Sequence, residues 1–415
     1  MCPSLLYSTD IIGPHTASMP KIYLPHNISP EKYLKQKNKI LQSAAPVSFF
    51  RSGYIEEFYP FPIIHTKKEI ADLKKIQQVV LKATTIIVQN YFKDTDISDR
   101  VPLAKNVRSA LKNISHLPYH IGGIRPDYLY DKNGVIKICE INARFVFNAF
   151  FMSMYANDAF AKQYSLFKKL PDFDALSKIL QDTFPRREKV AIIKNREDGY
   201  DIHSFLLEIQ NTELFDTKNI KKILATYSHV VLELHQDEAE KYVKQICNAM
   251  KKGVHIYNDP RTLFIVHDKR FLSILSNKKI MKRYLSEKDA SFLTKHIIPT
   301  YTQKTDTEKF LVAQKNKNAW VVKKSISGKS DGLYIGKEKN KTEWKKIIKK
   351  KDSLLQPYVV QKTFEIWDPY RQKHADFYLA GVLPIWNDTV FGPGLYRITP
   401  SYKHKFAGFI QPLLL

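Results

Sequence analysis

Four residues in two short segments have the types and spacing to handle a metal ion and a phosphate. They are Arg125 and Asp127 in Arg125-Pro126-Asp127, and Glu140 and Asn142 in Glu140-Ile141-Asn142. Both segments read as strands, Ile124 to Tyr130 and Val135 to Asn142. The tetrad Asp131-Lys132-Asn133-Gly134 between them is turn chemistry, with Gly134 available for a positive φ. Side chains alternate along a strand, so each i, i+2 pair shares a face. With a four-residue loop, position i pairs with position 265 − i, and Arg125 lies opposite Glu140. Both pairs then point the same way, and a one-residue change of register would separate them. Two carboxylates and an amide oxygen are hard, all-oxygen ligands that suit Mg²⁺, with phosphates and water completing its shell. Arginine grips a phosphate or carboxylate bidentately. The same four residues would also serve as an ordinary cross-strand ion-pair set.

Three other segments could bind a nucleotide. Lys323-Lys324 precedes Ser327-Gly328-Lys329-Ser330-Asp331-Gly332, where small residues let backbone N–H groups approach phosphate oxygens. This is not a P-loop: that motif needs glycine five positions before Gly328, and Lys323 stands there. Leu355-Gln356-Pro357-Tyr358-Val359 is an apolar strand stopping at a proline, which exposes edge groups able to meet an adenine. Asn258-Asp259-Pro260-Arg261 is followed by Asp268-Lys269-Arg270, whose Lys269 could reach a phosphate. Each segment read alone is equally a plain turn, strand or surface lysine. Zinc spacings, a nucleophile elbow, kinase signatures and a dinucleotide fingerprint are absent from the sequence.

The elements that must position these residues divide the chain of 415 residues into an α+β arrangement. Residues 1–112 read as a helical layer. Ser29-Pro30 opens one helix over Glu31 to Leu41. Thr66-Lys67-Lys68-Glu69 is a capping box before Ile70, Leu73, Val80 and Ile87 at near-helical spacing. Residues 113–185 carry the hairpin and part of a central core. Residues 186–280 alternate strand and helix, with strands at Lys189 to Ile193, His229 to Leu234 and Val254 to Tyr257, and a helix over Asp237 to Lys251. This is the rhythm of a small parallel sheet. Lys269 to Leu275 reads as a further helix. Residues 281–415 return to strands, at Phe310 to Ala313, Ala319 to Lys323, Leu333 to Ile335, Leu354 to Val360 and Phe377 to Pro384. A lysine-rich helix near Glu343 to Lys350 interrupts them.

Composition narrows the function class. Three widely spaced cysteines, Cys2, Cys139 and Cys247, make no disulfide framework and point to a reducing, cytoplasmic compartment. No stretch reaches the ~18 apolar residues of a membrane helix, and Met1 to Lys21 lacks a signal-peptide pattern. Net charge is +25, and residues 271–415 hold 27 Lys and Arg against 12 Asp and Glu. Such a field attracts nucleotides, nucleic acid or an anionic surface. There is no RNA-binding sheet signature or zinc-finger spacing, so nucleic acid is not the expected partner.

The order of the motifs resembles the ATP-grasp superfamily. The usual order there is a pre-ATP α/β domain ending in an Asp-Lys helix, a lid with lysines and a glycine-rich loop, an adenine hinge, and last a carboxylate strand with E-x-N. Here Glu140-Ile141-Asn142 comes first, and Asp268-Lys269, Lys323, Ser327 to Gly332 and Gln356 to Val359 follow in family order. The chain is therefore similar to a circularly permuted ATP-grasp of the glutathionylspermidine synthetase group, where R-x-D precedes E-x-N. The resemblance covers roughly residues 115–400, with a lid at about 300–355. It implies that Asp127, Glu140 and Asn142 hold Mg²⁺. Lys269 and Lys323 would touch ATP phosphates, with Lys324 in place of Lys323 if the strand register differs. Ser327, Gly328, Lys329, Ser330 and Gly332 would form the phosphate loop, and Gln356, Pro357, Tyr358 and Val359 would meet the adenine. Arg125, with Arg397 as a second arginine, would bind the transferred phosphoryl group or the substrate carboxylate. The activity implied is ADP-forming ligation of a small-molecule or peptide carboxylate to an amine. A nucleotide-binding scaffold without turnover, or a basic polyanion-binding protein, are the other readings.

Overall fold

The computed structural model describes residues 19–25, 27–43, 57–196, 200–326, 331–400 and 408–415. The hairpin strands Gly123–Tyr130 and Ile136–Asn142 belong to an eight-stranded sheet. Gly123–Tyr130 pairs antiparallel with Ile136–Asn142 along one edge, and with Lys373–Val382 and Ile385–Trp386 along the other. Lys373–Val382 also pairs with Thr363–Asp368 and Tyr396–Thr399, which brings Arg397 beside the hairpin. The strand Thr363–Asp368 is not foreseen from sequence.

The parallel sheet forms as expected and gains one strand. Its order is Thr212–Phe215, Val190–Lys194, His229–Glu233, His255–Tyr257. The central strands carry buried apolar runs, Val190 to Ile193 and Val230 to Leu232, covered on both faces. Thr212–Phe215 is a half-exposed edge without an apolar run, so no pattern marks it. The helix Gln236–Lys251 covers the sheet and ends before Gly253, at φ +92°.

A four-stranded antiparallel sheet forms a separate lobe in the order Leu333–Ile335, Trp320–Lys324, Ser353–Pro357, Tyr301–Thr302. Phe310 to Ala313, expected as a strand, lies instead within the helix Thr307–Lys315. A four-residue apolar run does not distinguish helix from strand. Here Phe310 and Ala313, three apart, face the core, whereas Leu311 and Val312 are exposed. Phe310, Ala313, Val322, Trp344, Ile347, Ile348 and Leu355 make this lobe's own hydrophobic cluster. The lysine-rich helix is Lys341–Ile347.

The N-terminal layer contains the helices Pro30–Ser43 and Lys67–Asn90. Ser29 Oγ accepts the Lys32 N–H, and the Thr66/Glu69 capping box is formed on both sides. The layer also supplies the strand Ile63–His65, which pairs antiparallel with Lys21–Ile22 and parallel with Pro412–Leu414. Its apolar residues share one core cluster with the hairpin and the parallel sheet. No described helix is long and apolar enough to cross a membrane. Cys139 and Cys247 form no disulfide.

His65 sits at the junction of this layer with the main sheet. It is fully buried, and its Nε2 is hydrogen-bonded to the Tyr396 hydroxyl at 2.9 Å. Tyr396 in turn bonds the hydroxyls of Tyr128 and Tyr130. Burial lowers the imidazole pKa from 6.5 to about 3, and Glu69, with Oε2 3.7 Å from Nδ1, does not offset this. The folded state therefore keeps His65 neutral while the unfolded chain protonates it below pH 6.5, so stability falls with acidification between about 6.5 and 3. One proton contributes a slope of ~1.4 kcal/mol per pH unit there. In chemical denaturation across that range, His65→Gln should lose this part of the slope, because its amide, able to donate or accept, still bonds Tyr396 but does not titrate.

Candidate active site

The hairpin brings its four polar residues to one face, but not in the expected register. Asp131 N–H donates to Val135 O, so the turn is longer by one residue and Tyr130 pairs with Ile136. Continued unchanged, that register would put Asp127 opposite Cys139 and turn Glu140 to the other face. A β-bulge at Cys139 adds a second extra residue. Asp127 then faces Glu140, and Arg125 faces Asn142, in place of the expected Arg125–Glu140 pairing. Two one-residue offsets restore the parity that one alone would break.

On this face Arg125 grips Asp127 bidentately, Nε to Oδ1 at 2.8 Å and Nη2 to Oδ2 at 3.1 Å. Arg397 Nη2 donates to Asp127 Oδ2 at 2.7 Å. Asn142 Nδ2 donates to Glu140 Oε1 at 3.3 Å, and Lys269 Nζ lies 3.6 Å from Glu140 Oε2. Lys323 Nζ donates to Cys139 O at 3.2 Å. Burial pushes the Glu140 carboxyl pKa up, but Lys269, Lys323, Arg397 and Arg125 outweigh it and hold the group well below the usual carboxylate range. Glu140 is thus an ionised, half-buried carboxylate held by cations from four separate parts of the chain.

An oxygen-only set of this kind fits Mg²⁺. Among the described residues no group of three or more His, Cys, Asp or Glu side chains could hold a metal ion. The candidate set is two carboxylates and one amide. Of these, Asp127 already accepts from two guanidiniums, whereas the Glu140–Lys269 contact is looser than a hydrogen bond.

The residues that the resemblance assigns to a nucleotide separate clearly. Asp268 accepts the Arg270 N–H and pairs with its guanidinium at 2.6 Å, a local lock that starts the turn Lys269–Phe271. Lys269 N–H donates to Ser325 O, which ties this turn to the separate lobe. Lys323 reaches the hairpin; Lys324 is exposed, with Nζ 3.8 Å from Asp331 Oδ2. Gly332 has φ +71°, and a Cβ there would stand 2.6 Å from that of Lys324, so only glycine fits. Ser327, Gly328, Lys329 and Ser330 lie outside the described residues. Gln356 is buried with its Nε2 on Thr300 Oγ1; Pro357, Tyr358 and Val359 are half-buried, and Tyr358 N–H donates to Ala319 O. On the ATP site that the resemblance implies, Lys323→Met should weaken ATP binding at least about tenfold, as expected for loss of a charged contact, and Lys324→Met by less than about threefold. Fluorescence titration would compare them.

Sequence reasoning missed the segment after Asn142. Ala143 N–H donates to His267 Nδ1, and Ala143 O accepts from Asn258. Arg144 Nη1 lies 2.8 Å from His235 Nδ1, Val146 N–H donates to Glu233, and Asn148 Oδ1 accepts from Arg125 at 2.5 Å. These partners are 87–124 positions away along the chain except for Arg125, so no local spacing marks them. Arg261, flagged with Asn258, is structural: it pairs with Asp259 and caps the carbonyls of Leu117 and Pro118.

Three comparisons bear on this site. Residues 76–265 match the family described as the AnkG N-terminal domain, a span that takes in the hairpin and His235 and ends before Lys269. The ATP-grasp enzyme ankG of Aspergillus thermomutatus is 34% identical over 111 residues, covering 25% of this chain and 22% of that protein. The chain thus matches about a fifth of the length of this curated relative. A glutathione synthetase-like effector from Globodera pallida, solved in apo form, superposes with a TM-score of 0.58 at 13% identity, covering 94% of this chain and 98% of that one. The fold is α+β and glutathione synthetase-like. The relationship to ATP-grasp, glutathione synthetase-like proteins drawn from the motif order is borne out.

Proposed function

We propose that this chain is an ATP- and Mg²⁺-dependent ligase that joins a carboxylate to an amine through an acyl phosphate. The observation that carries the reading is the convergence of Arg125, Arg397, Lys269 and Lys323 on Asp127 and Glu140. A carboxylate is a poor acyl donor because oxide would have to leave. Attack of its oxygen on the γ-phosphorus breaks the bond to ADP and gives an acyl phosphate. The amine then displaces phosphate and loses a proton as the C–N bond forms.

The chain's part is positioning and charge neutralisation. Asp127, Glu140 and Asn142 would hold Mg²⁺, which supplies charge neutralisation at the phosphates. Lys269, beside Glu140, and Lys323, on the Cys139 carbonyl, would cradle the phosphate chain. Arg125 and Arg397, both anchored on Asp127, would orient the carboxylate and the transferred phosphoryl group. A ligase of this kind works on small molecules or a peptide end, so the positive charge needs no nucleic acid.

One feature favours a binding protein without turnover: both Asp127 oxygens already accept from guanidiniums. Calorimetric titration of ATP with and without Mg²⁺, followed by ADP release over a panel of acids and amines, decides between them. ATP binding with ADP release that requires both an acid and an amine supports the ligase. Tight binding without release under any pairing supports the scaffold, and no ATP binding discards both.

A further inference from the structure

A hollow of about 380 Å³ lies between the helix Pro30–Ser43 and the end of the helix Phe150–Gln163, and no residue of the hairpin lines it. That size falls in the range of roughly 300–1,000 Å³ typical of small-molecule pockets. One wall is aromatic. Phe61 and Phe167 are buried there, and Tyr23 meets Tyr164 and Phe167 edge-on, with ring centroids 5.8 and 5.1 Å apart. Polar groups of this wall are committed to the protein: the Tyr164 hydroxyl donates to Pro60 O, and Gln163 Nε2 donates to Ser43 Oγ. The other wall is a row of cations. Lys32, Lys35 and Lys39 stand at i, i+3 and i+7, so they share one face of Pro30–Ser43, whose opposite side buries Tyr33 and Ile40. At the helical rise the row extends about 10 Å along the axis.

Nothing in the fold accounts for that row. Among the described residues no carboxylate lines the hollow or forms an ion pair with these lysines, and Lys32 Nζ donates to the Asn27 carbonyl at 3.1 Å. Glu31, one turn before Lys35, does not line this hollow. A cation in the last turn would answer the helix dipole, but none of the three is there. Lys32 stands in the first turn, where a positive charge is disfavoured. Like charges three and four positions apart also repel one another.

We infer that this hollow is a second ligand site, for a small phosphate monoester with an apolar body. Each ammonium is a compact charge that donates and cannot accept. A phosphate monoester brings close to two negative charges at neutral pH, where a carboxylate would offer three lysines only one. Its phosphate would lie among Lys32, Lys35 and Lys39, and its body against Tyr23, Phe61 and Phe167. The site is separate from the hairpin face and does not depend on the ligase reading.

The test is calorimetric, on the full chain, with 1-naphthyl phosphate as the probe and 1-naphthol and inorganic phosphate as its two halves. The wild type should bind 1-naphthyl phosphate at least tenfold tighter than either half. The double variant Lys35→Gln/Lys39→Gln should lose at least tenfold of that affinity, and Lys35→Arg/Lys39→Arg should keep most of it. These side chains are exposed, so the variants should remain folded. Lys345→Gln/Lys346→Gln, which removes two exposed lysines from the helix Lys341–Ile347, should change the affinity less than twofold. Unchanged affinity in Lys35→Gln/Lys39→Gln overturns the inference, because the probe then binds elsewhere. An equal loss in Lys345→Gln/Lys346→Gln overturns it as well, because the net charge alone would then attract the probe. Binding of 1-naphthol as tight as its phosphate removes the role of the lysines. Sedimentation with phosphatidic acid vesicles but no binding of 1-naphthyl phosphate would make the row a membrane contact and overturn the small-molecule site.

Discussion

Glu140→Gln should abolish ADP formation, with a loss on the order of 10²–10³-fold or more, the range for removing one preorganised electrostatic contact. The structure also gives a less obvious signature. Glu140 is a negative charge where a polyanion is expected, offset by Lys269, Lys323, Arg397 and Arg125. Replacing it with an isosteric amide removes a repulsion from metal-free ATP while leaving the cations in place. ATP affinity without Mg²⁺ should therefore stay equal or rise, and the gain on adding Mg²⁺ should disappear. Calorimetry on both proteins with and without Mg²⁺ reads this directly. The folded state should lose stability, because Lys269 is almost buried and loses a charged neighbour, so circular dichroism must confirm that the variant is folded. A Mg²⁺ enhancement of equal size in the two proteins would remove Glu140 from the metal site.

The parts of this site that were legible in the sequence are those specified locally. Alternation put Arg125 with Asp127 and Glu140 with Asn142, and motif order pointed to Lys269 and Lys323. The register was not legible, because neither the longer turn nor the bulge at Cys139 has a sequence signature. The expected convergence arose through a pairing two positions away. Phe310 to Ala313 misled because burial of Phe310 and Ala313 alone, set by Trp344 and Val322, decides for a helix. The segment that holds Arg144 and Asn148 was invisible for a different reason: its geometry is set by His235, His267, Asn258 and Glu233 from the parallel-sheet unit. The helical layer carried no chemical motif, yet it supplies His65 to the polar chain behind the hairpin's charged face.

That polar chain leads to the largest expected effect on stability, Gly381→Ala. Gly381 lies between Tyr128 and Tyr396 in the sheet, paired with both. The Tyr128 ring crosses over it to reach the Tyr396 hydroxyl, which also meets Tyr130 and His65. A Cβ at Gly381 would stand 2.6 Å from Tyr128 Cε1 and from its hydroxyl oxygen. The ring is fully buried and has nowhere to retreat, so the sheet must open or the ring must leave the Tyr396 hydroxyl. Overpacking costs about 1–3 kcal/mol, and a buried hydroxyl left unpaired adds about 1–3 kcal/mol. The variant should therefore unfold at clearly lower denaturant than Tyr128→Phe, which keeps the packing and loses only one hydroxyl. The damage should reach the opposite face as well. Arg397 follows Tyr396, and Ala380 pairs with both Arg397 and Leu129, so displacing this strand moves the Arg397 guanidinium away from Asp127. Where Gly381→Ala remains folded, it should resemble Arg397→Gln in its ADP-forming rate more than it resembles Tyr128→Phe. A folded Gly381→Ala with wild-type turnover would show that the strand's position is not held through this contact.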